Sequence, residues 1–210
     1  LGPLDFQSLL PPMPLGDENG CLELMRAHEL LRARKTRASA KGGDPDEKLF
    51  YLSSTSRPWS PEEAQAARKA LEKAGYILAL ARLGADQPHI RHQLQVDGML
   101  LDVRLPHLTS LKAMGDMLKA AARVEAGDGQ TDRALEDLGR VARIGQRLEK
   151  EPFLISCLVS LALRNIACQG IDEALEEGAQ TSPGACAKLV ETLRMDKDLG
   201  HRAFLGERCM

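Results

Sequence analysis

The stretch from Pro152 to Leu175 is the most apolar part of the chain, and it limits what the rest can fold into. From Phe153 to Leu163 there is no charge and no polar group larger than a hydroxyl. Apolar residues fall on every side of the helical wheel, and a helix apolar all round is either enclosed by protein or crosses a membrane. The uncharged run stops at Arg164-Asn165, short of the roughly 20 residues a span needs. The expectation is a central helix over 152–177 with the others packed around it, Leu158 and Leu161 fully buried, and no membrane insertion. Ser156, Ser160, Ala167 and Ala174 lie within about 40° of one another on that helix, a line of small residues that predicts its closest helix–helix contact. Arg164 projects about 80° from Ser156, among Cys157, Cys168 and Ile171. Its head either reaches water along an apolar stem or is buried against an acid of another helix. The rarity of fully buried arginine favours the first.

The remaining composition points to helices. Aromatic residues make up 3% of the 210 residues, and the chain is rich in alanine and leucine. That predicts an all-α fold of about seven helices in antiparallel pairs, helical-repeat-like, as one domain over 18–210 behind a Pro-rich extended arm at 1–17. A net charge of −2 leaves no global field for nucleic acid or an anionic membrane. The cysteines number five, are widely spaced and contain no CxxC, which is neither a zinc pattern nor a disulfide scaffold. Free cysteines in helical apolar patterns behave as small hydrophobes. The chain begins at Leu1 and stops within a helical pattern near Leu205-Gly206-Glu207-Arg208. A removed targeting segment or anchor, and a shortened C-terminus, are expectations drawn from those ends.

In chain order, Asp17 is placed to cap a helix over about 18–34, with Cys21, Leu24, Met25, His28 and Leu31 on its apolar face. His28 reads as a core histidine with one satisfied nitrogen. The basic tract Arg32, Arg34, Lys35, Arg37 and Lys41 suits a helix C-terminus and has no aromatic interleaving for base stacking. A long loop is expected over 36–59, with an apolar knot at 49–52. Ser60-Pro61-Glu62-Glu63 is a capping box with Trp59 in the staple position, opening one helix to about Leu83 that Gly84 ends. Asp97-Gly98 marks a short hairpin near 94–103. His89 and His92 are three apart but have no third ligand nearby, so no metal and no cofactor are expected.

Pro106 opens a helix to about Ala126 with Lys112, Asp116, Lys119 and Arg123 on its outer side. Thr131 or Asp132 caps the next, to about Lys150. Ser182-Pro183 caps a shorter one with Cys186, Leu189, Val190 and Leu193 inward, and Asp198 opens the last. On the helix at 131–150, Arg133, Arg140, Arg143 and Arg147 cluster within about 80°, with Ile144 at the edge of the cluster. This face is either solvated or a small protein-binding surface made of Arg140, Arg143, Ile144 and Arg147.

Pro106-x-Leu108-x-Ser110 recurs 46 residues later as Pro152-x-Leu154-x-Ser156, each opening a helix that another follows. With Gly127-Asp128, Ala134-Leu135 and Leu158-Val159, the segment 105–178 resembles a group of uncharacterised helical bacterial proteins and, more loosely, tetratricopeptide hairpins. The aromatic positions of a true tetratricopeptide are filled here by alanine or leucine. The resemblance implies a paired-helix fold and, because that group usually follows an N-terminal export anchor, a cell-envelope location; it brings no site residues. No nucleophile–base–orienter set is legible. A non-catalytic scaffold or protein-interaction domain is the leading expectation. The alternative is a small-molecule binder or enzyme with a pocket walled by 36–59 and 85–105, for which His28, His89, His92 and His107 are the acid–base candidates.

Overall fold

The computed structural model describes residues 12–39, 52, 55, 57–93, 105–177 and 181–194. Within them the fold is all-α, with seven helices: α1 Cys21–Ser39, α2 Pro61–Lys73, α3 Gly75–Asp86, α4 Pro106–Gly127, α5 Thr131–Leu148, α6 Leu154–Glu177 and α7 Pro183–Leu193. The expected hairpin, the apolar knot apart from Leu52, the helix after Asp198, and residues 1–11 of the arm lie outside the described residues. Short connections at 128–130 and 149–153 turn α4, α5 and α6 back on one another, and these three pack mutually. The α1 and α3 helices pair and lean on α4 and α5, α2 covers α4, and α7 covers α5.

Local chemistry sets most of the helix starts. Ser60 Oγ accepts from the Glu63 amide at 3.2 Å, and the Glu63 carboxylate accepts from the Ser60 amide at 2.9 Å. Arg57 locks that carboxylate bidentately at 2.6 and 2.8 Å. Ser60→Ala should lower stability by about 1 kcal/mol in a urea titration; a change below about 0.3 kcal/mol would mean that the Arg57–Glu63 pair alone holds the helix start. Ser182 likewise caps α7, accepting from the Ala185 amide at 3.2 Å.

Other starts differ from expectation. Asn19, not Asp17, opens α1: its Oδ1 accepts from the Cys21 amide, while Asp17 lies in a 3-10 turn. The helix also runs five residues past the expected end at 34, to Ser39. Neither Thr131 nor Asp132 caps α5; Asp132 accepts from the Ser182 amide at 2.9 Å, tying α5 to α7, and those hydrogen bonds hold its carboxyl below the usual range. The single helix expected from Pro61 breaks into two at Ala74 (φ −97°, ψ 11°), just before Gly75, a poor helix former. Gly84 does not end it. A side chain there would collide with the Gly20 carbonyl and Leu24, so this glycine instead lets α1 and α3 touch.

The most enclosed helix is α4, where every residue from Met117 to Arg123 is buried. Lys119 and Arg123, expected on its outer side, are therefore inside. Lys119 Nζ lies 3.0 Å from Glu173 Oε1, and Arg123 Nη1 lies 3.5 Å from Glu173 Oε2. Arg123 also donates to the carbonyls of Thr55 and Arg57 and sits 4.4 Å over the Trp59 ring, so it pins the segment leading into α2.

The line of small residues on α6 does make its closest contact. Ser156, Ser160, Ala167 and Ala174 are all buried, and a Cβ on Gly145 of α5 would stand only 3.1 Å from the Ser160 carbonyl oxygen. Gly170 of α6 gives the same freedom to Leu138, whose methyl occupies the place of the missing side chain. Arg164 takes the buried reading: 7% exposed, its Nε donates to Glu149 Oε1 at 2.6 Å. The expectation for Leu158 and Leu161 is overturned. They are 52% and 39% exposed, because α6 packs on α4 and α5 from one side while its other side has no described helix against it. Val190, expected inward on α7, is likewise exposed.

Candidate functional site

The arginine face of α5 is an internal clamp. Ile144, placed by the helical wheel at the edge of the cluster, is fully buried, and so is Asp137 one turn earlier. Asp137 accepts from Arg82 Nε at 3.0 Å and Nη2 at 2.6 Å, and from Arg140 Nη1 at 2.6 Å. Arg140 and Arg143 both reach Asp86 at the C-terminal end of α3, and Arg147 donates to the Ala85 carbonyl at 2.6 Å. Cations at a helix C-terminus also meet the negative end of its dipole. Burial pulls the Arg140 guanidinium down, but its bonds to Asp86 and Asp137 outweigh this and raise it. Burial and then Arg143 push Arg147 down, to about 10. Burial and then Asp137 raise the Glu125 carboxyl, against the opposing pull of Arg82, which donates to it at 2.8 Å. These arginines are spent holding α3 to α5. Only Arg133 points away, to Gln130 of its own helix.

The histidines do not converge on a reaction centre. His28 Nδ1 pairs with Ser110 Oγ at 3.0 Å, joining α1 to α4 with one nitrogen satisfied. The main chain of His89 bonds to Glu18 and Gly20, fixing the segment after α3 beside the start of α1. His92 stacks on His107 with ring centroids 5.0 Å apart, and burial, then the neighbouring His107, lower its pKa. His107 is fully buried at the start of α4, its Nε2 2.9 and 3.1 Å from the two Glu151 oxygens. Ser156 Oγ donates to the same carboxylate at 2.6 Å. Serine, histidine and carboxylate are thus together, but the hydroxyl and the imidazole share the acid. A nucleophilic serine needs the histidine, not the carboxylate, in reach of its proton. Cys21 is also unsuited as a nucleophile, because burial and the nearby Glu151 and Glu23 push its thiol up to about 12. Among the described residues no group of three or more His, Cys, Asp or Glu is placed to hold a metal.

Two concavities remain. An open groove of about 480 Å³ runs between α5 and α7, with Asp132, Glu136, Arg143 and Lys188 along its rim. A cavity of about 120 Å³ lies between Pro12, Pro14, residues 88–91 and the end of α5. Of the two loops expected to wall a pocket, only part of 85–105 contributes, and 40–51 lies outside the described residues.

The outer side of α6 is different in kind. Leu154, Ile155, Leu158 and Leu161 are each about two-fifths to one-half exposed. They fall within about 120° of one another over two turns. No charge interrupts them before Arg164, whose guanidinium is turned inward. Together they expose on the order of 300 Å² of apolar surface, the size at which the largest patch of a monomer is often functional. By length and composition alone α6 is also apolar enough to cross a membrane, with mean hydropathy 1.6, which is weak evidence for a single helix. Its inner side carries Arg164 and Glu173 in ion pairs with α5 and α4, as in a helix packed within protein. Periodicity missed this surface because an all-round apolar helix has no preferred face to read.

The chain matches no protein-family model, no curated protein and no solved structure.

Proposed function

We propose that this protein is a non-catalytic helical scaffold that binds a protein partner, with the outer side of α6 as the docking surface and an amphipathic helix of the partner as its occupant. The carrying observation is the uncharged stripe Leu154, Ile155, Leu158 and Leu161, left exposed on a helix whose inner side is fully engaged. A straight apolar stripe two turns long suits the i, i+3, i+4 anchors of a second helix better than an extended peptide, which needs a sheet edge. The polar residues that follow it, Asn165, Gln169 and Asp172, provide a rim at one end. The likeness of 105–178 to tetratricopeptide hairpins supports the same class of function, and the likeness to anchored bacterial proteins supports a cell-envelope setting. The Arg140, Arg143, Ile144 and Arg147 surface is the weaker candidate, since its charges are paired internally and Ile144 is buried.

The test uses the intact chain and its Leu158→Asp/Leu161→Asp variant as paired baits in extract from the source organism. Both positions are exposed, so the melting temperature should move by no more than about 2 °C. A protein retained by the first bait and lost from the second, and then binding the purified chain directly, is the expected result. Identical capture by the two baits would exclude this face.

A further inference from the structure

We propose that the cavity between the Pro12–Pro14 segment, residues 88–91 and the end of α5 is a binding site for a small organic carboxylate, gripped by Arg91 and flanked by Lys150 and Arg147. Its wall is of two kinds. Pro12, Pro14, Pro88 and Ile90 supply apolar surface, while Arg91, Arg147 and Lys150 supply three cations against one carboxylate, Glu151. That carboxylate is already engaged, by His107 Nε2 and by Ser156 Oγ. Arg147 spends a hydrogen bond on the Ala85 carbonyl, and the exposed Lys150 stands at the mouth.

Arg91 is the central observation. Buried Asn19 holds its main chain from both sides, accepting from the Arg91 amide at 2.9 Å and donating to its carbonyl at 2.8 Å. The position of the side chain is therefore set. Its Nη1 is nevertheless buried with no hydrogen-bond partner, and burial lowers the guanidinium's pKa, with Glu151 only partly opposing it. A buried, unpaired N–H on a charged group is the costliest kind of orphan donor, and an orphan of this kind in a native fold calls for an ion or ligand. An anion placed in the cavity satisfies it and offsets the excess positive charge.

The shape of the wall selects the class of anion. Proline has no amide N–H, so Pro12, Pro14 and Pro88 cannot build the backbone nest that a phosphate's several oxygens require. A carboxylate presents two oxygens to the planar fork of one arginine and can rest a short alkyl chain on the prolines and Ile90. The volume of about 120 Å³ is that of about four waters, which fits a short-chain acid.

Isothermal titration of the intact chain with sodium butyrate, butyramide and sodium phosphate at matched ionic strength tests this. Butyrate should saturate a single site, with butyramide and phosphate weaker by about tenfold or more, the scale of a charge-assisted hydrogen bond. Arg91→Gln should weaken butyrate by about tenfold or more without lowering the melting temperature of the free protein, because the substitution removes an unpaired buried donor. The exposed Lys150→Gln should weaken it by a few-fold and cannot disturb folding; it decides the matter with the amide comparison even if the Arg91 variant folds poorly. Absence of saturable butyrate binding, equal binding of butyramide, phosphate binding as tight as butyrate, or affinity unchanged in both variants would each overturn the assignment.

Discussion

Glu173→Ala should destabilise the fold by about 3–5 kcal/mol, the range for removing one partner of a buried ion pair. Glu173 on α6 is the counter-charge for Lys119, whose ammonium lies 3.0 Å away on the most enclosed helix, with side chains 7% and 4% exposed respectively. Removing the acid leaves an ammonium that cannot reach water without dragging α4 outward. Arg123 is less dependent on Glu173, because the carbonyls of Thr55 and Arg57 and the ring of Trp59 remain. The double variant Lys119→Met/Glu173→Leu should recover most of the loss, since apolar replacement of a whole buried pair is often neutral. Urea titration of the two single variants and the double variant measures the coupling. A Glu173→Ala loss below about 1 kcal/mol would mean that water reaches Lys119 and that α4 is not the sealed centre of the fold.

Leu163→Ala should cost about 2–5 kcal/mol, while Leu158→Ala should cost about 0.5 kcal/mol or less. Both leucines are on α6, a little over one turn apart, and helix propensity is the same for either exchange. Leu163 is fully buried, with its side chain lying where Gly115 and Gly145 have none. Truncation there opens a void between three helices that rigid neighbouring backbones cannot close. Leu158 is 52% exposed and leaves no void. Equal losses at the two positions would mean that α6 is rotated about its axis and that the proposed docking surface is covered.

What could be read along the chain was whatever depends on near neighbours. The all-α class follows from alanine and leucine without aromatics. The starts of α2 and α7 follow from Ser60-Pro61 and Ser182-Pro183, where a hydroxyl meets an amide three residues on. The small-residue line on α6 could be read from the wheel, because close approach needs only the absence of bulk at fixed angular spacing. Sequence also placed His28 on the inner side of α1 with one nitrogen satisfied, though not the identity of its partner, Ser110.

The tertiary structure decided which sides are covered and which charges are inside. Lys119 and Arg123 look like an outer stripe on α4 until α6 and the segment before α2 close over them. Arg164 looks like a snorkelling residue until Glu149 arrives at the turn between α5 and α6. The arginines of α5 look like a free basic face until Asp86 and Asp137 claim them, and the end of α3 that supplies Asp86 is more than fifty residues away in the chain. The physical reason is common to all of them. A helix's periodicity states which residues share a side, but the cost of burying a charge depends on a partner that long-range packing supplies. The α6 stripe is the converse case: apolar residues favour burial, yet only neighbouring helices can provide it, and on that side of α6 the described structure has none.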